Sequence, residues 1–243
     1  MRNYVSAIIV AVAILIGGFI LSRAYNYKFK TRNTVNVVGS AEHNFSADLI
    51  VWSGAFTRAS MDMKEAYASL KNDEQQVRSY LTSRGISDKE VIFSSVVIDK
   101  LFNTTYDENG RQTGNAFAGY QLRQTVKIES KSIENVEKIS REITELIQSG
   151  IELSSQQPLY YYTKLSDLKI SLLAKASADA HERAETTAKN AHSSLGKLRK
   201  ASMGVFQITG QYSNEDYSYG GTFNTTSKNK TASITVRLEY ELE

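Results

Sequence analysis

Few side chains in this sequence could do chemistry, and the spacing of those few argues against most of it. There are three histidines, His43, His181 and His192. His181, Glu185 and His192 project from a similar side of one expected helix, which is how a metal site would begin. Along a helix, however, His181 and His192 stand roughly 16 Å apart, so one ion cannot be held by both. His181 and Glu185 supply only two ligands, and neither HExxH nor another full ligand set is present. Asp179 and Arg183 are four residues apart with the acid first, the order that suits an ion pair on a helix surface. No GxSxG elbow, Walker A loop or GxGxxG behind a strand is found, and without Cys there is no thiolate ligand or nucleophile. The expectation is therefore a chain without catalytic residues, metal or cofactor, and not an enzyme.

A different kind of chemistry is offered by Tyr212 to Lys230, a long polar stretch rich in Gly, Ser, Asn and Tyr. Tyr212, Tyr217, Tyr219 and Phe223 there could stack on sugars or dock on another subunit, because tyrosine presents flat amphipathic surface at small entropic cost. The plain alternative is a mobile hairpin tip. Asn44, Asn103, Asn224 and Asn229 open glycosylation triplets, which matter only in a eukaryotic secretory route.

These residues must be positioned by a fold, and the totals bound it. The 243 residues are 41% hydrophobic and 10% aromatic, enough for a real core, and no Pro/Gly/Ser-rich linker divides them. A net charge of +3 from 29 basic and 26 acidic residues leaves no basic face for nucleic acid. Thr34 to Ala41 and Ala47 to Ala59 read as strands joined by a polar connection, Glu42 to Ser46. A helix follows over Met61 to Ser83, stopped near Gly85. Val91 to Asn103 and Ala116 to Glu129 read as strands, and the Asn109-Gly110 pair between them makes them antiparallel neighbours. A second helix covers Ser132 to Gln148 and ends at Gly150; Ile151 to Thr163 is then a strand. From Ala47 to Thr163 the order is strand, helix, strand, strand, helix, strand, the plan of a ferredoxin-like split βαβ unit.

A long helix, Lys164 to Leu198, is expected next. Leu165, Leu168, Leu172, Leu173, Ala176, Ala180, Ala184, Ala188, Ala191 and Leu195 recur at spacings of three and four and form its packing stripe. Ala201 to Gln211 and Thr231 to Leu242 make a final strand pair. The fold class expected is thus α+β, with an antiparallel sheet.

Ahead of all this, Tyr4 to Leu21 carries no charge and would span roughly 27 Å as a helix, close to the hydrocarbon thickness of a bilayer. A retained transmembrane anchor is expected, the run being longer than the roughly 7–15 residues of a signal-peptide core, although Ser22-Arg23-Ala24 offers small residues for cleavage. The expected organisation is an anchor over 1–24, a polar linker over 25–33 and one domain over 34–243. Arg23, Lys28, Lys30 and Arg32 follow the span and only Arg2 precedes it, so the charge rule alone would leave the domain in the cytoplasm.

Val35-x-Val37-x-Gly39, Asp48 at the next strand start, Gly119-Tyr120, and Ala176-x-x-Asp179-Ala180-x-x-Arg183-Ala184-x-x-x-Ala188 leading to Leu195-Gly196-Lys197-Leu198 stand in one order along the chain. In these motifs the sequence resembles the SIMPL-domain family of bacterial envelope proteins linked to oxidative-stress defence. Ala47 stands where many members have Pro. The resemblance implies an α+β domain in the periplasm or on the outer face, tethered here to the inner membrane. It also implies self-association, in some members into large rings, and carries over no catalytic residue. The resulting expectation is an envelope scaffold, with a sugar- or peptide-binding module using residues 212–230 as the alternative.

Overall fold

The computed structural model describes the backbone of residues 2–29 and 33–243, with side chains over 11–25 and 33–243. Helix α1 runs Arg2–Phe29. Residues 1–10 of the expected anchor and 26–32 of the expected linker have side chains outside the described residues. Among the described residues no helix is long and apolar enough to cross a membrane. The rest is mixed α+β with antiparallel pairing, and contacts divide the chain into two units.

The larger unit holds residues 41–173 and 205–234. It contains β2 (Leu49–Ser60), α2 (Met63–Ser83), β3 (Val91–Phe93), β4 (Val97–Tyr106), β5 (Gln112–Ser130), α3 (Ile133–Glu142), β6 (Leu153–Ser155) and β7 (Leu159–Tyr161). The strands lie in the order β3-β5-β2-β6, with β4 also on β5 and β7 also on β2, all antiparallel. One face of β2 alternates inward, and Ile50, Trp52 and Phe56 pack with Leu70, Val77 and Leu81 of α2 and with Val136 and Ile139 of α3. Asp62 caps α2, its carboxylate accepting from Lys64 N at 2.7 Å. Gly85 closes it at φ +84°, where a residue with a Cβ would be strained.

α2 is not wholly apolar inside. Asp73 is fully buried and accepts from Arg58 Nε and, at 2.8 Å, from Arg58 Nη2. The buried Gln124 of β5 donates to Glu74 at 2.9 Å and to Ser94 O at 3.1 Å. These bonds satisfy the Asp73 carboxylate and the Gln124 amide nitrogen, while Gln124 Oε1 is buried with no hydrogen-bond partner.

Several expected elements are divided. The strand expected over Val91 to Asn103 breaks into β3 and β4 at Ser94, whose backbone and hydroxyl both bond Thr125. The strand expected over Ile151 to Thr163 breaks into β6 and β7 around Pro158, which has no N–H for a ladder. The helix expected to Gln148 is α-helical only to Glu142 and continues as a 3-10 turn over Ile143–Ser149. Glu42 to Ser46, expected as a connection, is strand: β1 runs Thr34–Ser46. Thr231 Oγ1 donates to Asn44 and Ser46 Oγ to Asn229.

The smaller unit holds residues 1–40, 174–204 and 235–243. Helix α4 (Leu165–Asn190) contributes its residues from Ala174 on, β8 is Leu195–Met203, and β10 (Asn229–Leu242) contributes its last residues. β10 lies between β1 and β8 and runs antiparallel to β8, with Val236 opposite Met203 and Leu238 opposite Ala201. Val35 and Val37 of β1 and Val236, Leu238 and Tyr240 of β10 are buried at every second position. The helix expected to Leu198 ends at Asn190. His192 turns the chain at φ 57° and Ser193 N closes on Ala188 O at 3.0 Å, a Schellman-type stop in which histidine stands where glycine is usual. Leu195 therefore lies in a strand and not on the helix stripe.

Candidate functional site

In the smaller unit, Ala176, Ala180, Ala184 and Ala188 of α4 are all buried. The reason for their size is visible at Gly39. A Cβ built there would lie 2.3 Å from both Ala176 O and Ala180 N, so the β1 backbone rests directly on the helix backbone. Asp179 sits beside this contact. Its carboxylate accepts from Ser40 N at 2.8 Å and from Arg183 Nε at 2.9 Å, and these two donors, Ser40 first, hold its pKa below the usual carboxylate range. Asp179 and Arg183 thus fasten the strand to the helix. At Gly196 a Cβ would meet Glu241 backbone and side-chain atoms at about 3.0 Å, another close approach of two strands.

His181 Nδ1 lies 3.0 Å from Tyr240 Oη, within one packed face. His192 is in the turn after the helix. Among the described residues no three His, Cys, Asp or Glu side chains are grouped to hold a metal ion.

In the larger unit, Asp48 lies between β1 and β2. Burial would raise its pKa, but Thr163 N (2.7 Å) and Thr163 Oγ1 (2.6 Å) both donate to it and the net shift is downward. Tyr120 packs against the core and meets Phe117 edge to face, with ring centroids 5.2 Å apart. Asp48 and Tyr120 are therefore framework residues.

The tyrosine-rich segment borders a cleft shaped for a ligand. It follows β9 (Gln207–Gly210), which pairs with β10 from Lys230↔Gly210 to Ser233↔Gln207. Two buried side chains order it. The Gln207 amide donates to Ser218 O at 2.8 Å and accepts from Thr222 N at 2.8 Å. Asn224 donates to Glu215 Oε1 and accepts from Ser227 N, while Lys230 Nζ donates to Asn224 O at 2.6 Å. Gly210 N donates to the other Glu215 oxygen at 3.0 Å, and this bond is the leading reason its pKa is lowered. Burial pushes the Lys230 ammonium down to about 8.

Against this base lies a cleft of about 480 Å³. Its walls include Tyr212 and Tyr217, and its polar groups include Glu42, Asn44, Gln211 and Asp216. Tyr212 is 94% exposed and held at φ 59°, a conformation rarely adopted by a residue with a Cβ. Tyr217 is 66% exposed, and its oxygen accepts from Ser233 Oγ at 3.2 Å. Of the four aromatic residues expected to form a partner loop, the cleft brings together Tyr212 and Tyr217. Tyr219 and Phe223 do not line it; Phe223 bridges to Ile208.

A second exposed feature is the β4–β5 hairpin. β2 pairs with β5 only from Tyr120 onward, so Gln112–Gly119 is laddered to β4 alone. Asp107 builds its tip, accepting from Asn109 N and Arg111 N, with Gly110 at φ 73°. Ile98, Phe102, Tyr106 and Phe117 are exposed along it.

The sequence reading missed Arg58, Asp73, Gln207, Glu215, Asn224 and Lys230. Asp73, Gln207, Asn224 and Lys230 are buried polar residues, and Arg58 and Glu215 are partners that bond to them from less buried positions; a polar residue whose partner lies elsewhere in the chain gives no periodic signal of its role. No curated protein matches the chain significantly. The family described as SIMPL, protein of unknown function (DUF541), matches residues 35–240, nearly all of the chain after α1, and the chain belongs to that family.

Proposed function

We propose that this SIMPL-family protein is a self-associating scaffold of the bacterial cell envelope. In this reading residues 4–21 tether it to the inner membrane, the domain lies in the periplasm or on the outer face, and its work is linked to stress defence. The observation that carries self-association is the β4–β5 hairpin. Isolated two-stranded ribbons are marginal in water, and this one exposes Ile98, Phe102, Tyr106 and Phe117. A second copy of the chain covering the hairpin would bury these side chains, and a contact repeated around an axis closes into a ring. The strand order described for residues 49–161 supports a ferredoxin-like unit as the body of each copy.

Light scattering on full-length protein extracted in detergent tests the assembly. A mass of many copies is expected, falling to one copy in Phe102→Ser/Phe117→Ser; a monodisperse monomer of the unaltered chain overturns the reading.

A second reading, a sugar- or peptide-binding module, is favoured by the cleft beside Tyr212 and Tyr217. It is compatible with a scaffold, since the cleft and the hairpin use different residues.

A further inference from the structure

We propose that the cleft bounded by Tyr212, Tyr217 and Glu42 binds a neutral saccharide. The inference rests on the binding-module reading and narrows it to one chemical class.

The first ground is the pairing of aromatic faces with planar polar groups. A pyranose ring has an apolar C–H face and a rim of hydroxyls, so it is matched by a flat ring beside acceptors and donors set at its edge. Tyr212 and Tyr217 supply exposed rings, and Asn44, Gln211 and Asp216 supply the edge groups. A volume of about 480 Å³ falls within the range of small-molecule sites.

The second ground is charge. No Lys or Arg is among the described residues lining the cleft, so an acidic sugar, a phosphate or a carboxylate would enter without a counter-charge. Of the three carboxylates that line the cleft, Glu215 has both oxygens engaged, by Gly210 N and by Asn224, while Glu42 and Asp216 stand as acceptors for hydroxyl donors. What remains is hydroxyl and amide chemistry, and Asn44 is held for it by Thr231, whose hydroxyl donates to Asn44 Oδ1 at 2.6 Å.

The third ground is preorganisation. Gln207 binds the loop backbone at Ser218 and Thr222, Asn224 binds it at Ser227, and Glu215 ties it to Gly210, so ordering the site does not have to be supplied by the ligand. Tyr212 is kept in a left-handed conformation although nothing in the core needs its ring, and backbone strain of this kind concentrates at functional positions.

Titration calorimetry on the full-length protein in detergent tests the proposal. The probes are three neutral hexasaccharides (chitohexaose, cellohexaose, maltohexaose), an anionic galacturonate hexamer and the cationic peptide hexalysine. Saturable binding of at least one neutral probe is expected, weakened about tenfold or more by Tyr212→Gly and by Tyr217→Ala. Tyr212→Gly should melt no lower than the unaltered chain, since glycine tolerates φ 59°, so lost binding there reports the ring and not the fold. Binding of hexalysine or galacturonate alone overturns the saccharide proposal while sparing the module reading. Binding of no probe overturns both, and neutral binding unaffected by either tyrosine variant overturns the assignment to this cleft.

Discussion

The two units reach close packing by opposite means. In the larger one the interior is filled by bulk: Trp52, Phe56, Leu70 and Leu122 are buried, and even the polar Asp73 is fitted with its own guanidinium partner. In the smaller one the interior is made by removing bulk, with four alanines and a glycine letting a strand backbone sit on a helix backbone. The lesson is that the same substitution should act with opposite force in the two places. Truncation opens a void where side chains fill space, and enlargement breaks contact where backbones do.

The largest expected effect is truncation in the bulky core. Phe56→Ala should cost about 4 kcal/mol, read as a shift in the urea midpoint, and a loss near 1 kcal/mol would mean that the site collapses to fill the gap. Next comes enlargement in the small core. Gly39→Ala places a methyl where the nearest atoms are backbone, Ala176 O and Ala180 N, so about 3 kcal/mol is expected, whereas most surface glycines in strands gain from the change. Ala180→Leu should cost about 1–3 kcal/mol by thermal melting. A fully stable Ala180→Leu protein would show that this face of α4 tolerates bulk and would remove the contrast.

The smallest effect is a pH dependence, which in the larger unit comes from Lys230. Lys230 has its pKa lowered by burial to about 8 from an ordinary value of 10.5. Between those values the unfolded chain binds the extra proton, so stability should rise with pH across that window. Lys230→Met should flatten the rise in a melting-temperature profile, and a rise that persists in the variant would assign it to another group. Asp179, in the smaller unit, acts with the same sign but in the acid range. Its pKa is lowered by Ser40 and Arg183, so its contribution is present at neutral pH and lost as acid protonates it.

Much of this contrast was legible before any coordinates. The alanine spacing at 176, 180, 184 and 188 marks a helix face, and all four are buried. The order from β2 to β7 follows from alternation and from two Gly stops, because period and glycine conformation act locally. The hairpin turn at Asn109-Gly110 is equally local. What could not be read is what depends on distant partners. The end of α4 is set by a histidine in a glycine-like turn, which composition does not announce. The extension of β1 to Ser46 involves Asn229 and Thr231, far along the chain. The tyrosines of the loop were legible as a surface, but the division between Tyr212 and Tyr217 on one side and Tyr219 and Phe223 on the other depends on Gln207 and Asn224.

The bond from Ser40 N to Asp179, made across 139 residues of sequence, also sets an order of events in time. The smaller unit gathers residues 1–40 with residues 174–204 and 235–243. As the chain is synthesised from its N-terminus, the strand carrying Gly39 emerges first and has no seat until α4 exists, and no completed sheet until β10 is finished. The stretch from 41 to 173, most of the larger unit, can form in the meantime, and residues 205–234 complete it later. The early strand must therefore remain unpaired while most of the chain is made, and a truncation of only the last nine residues should leave the larger unit folded with an N-terminal strand exposed to proteases and to other strands.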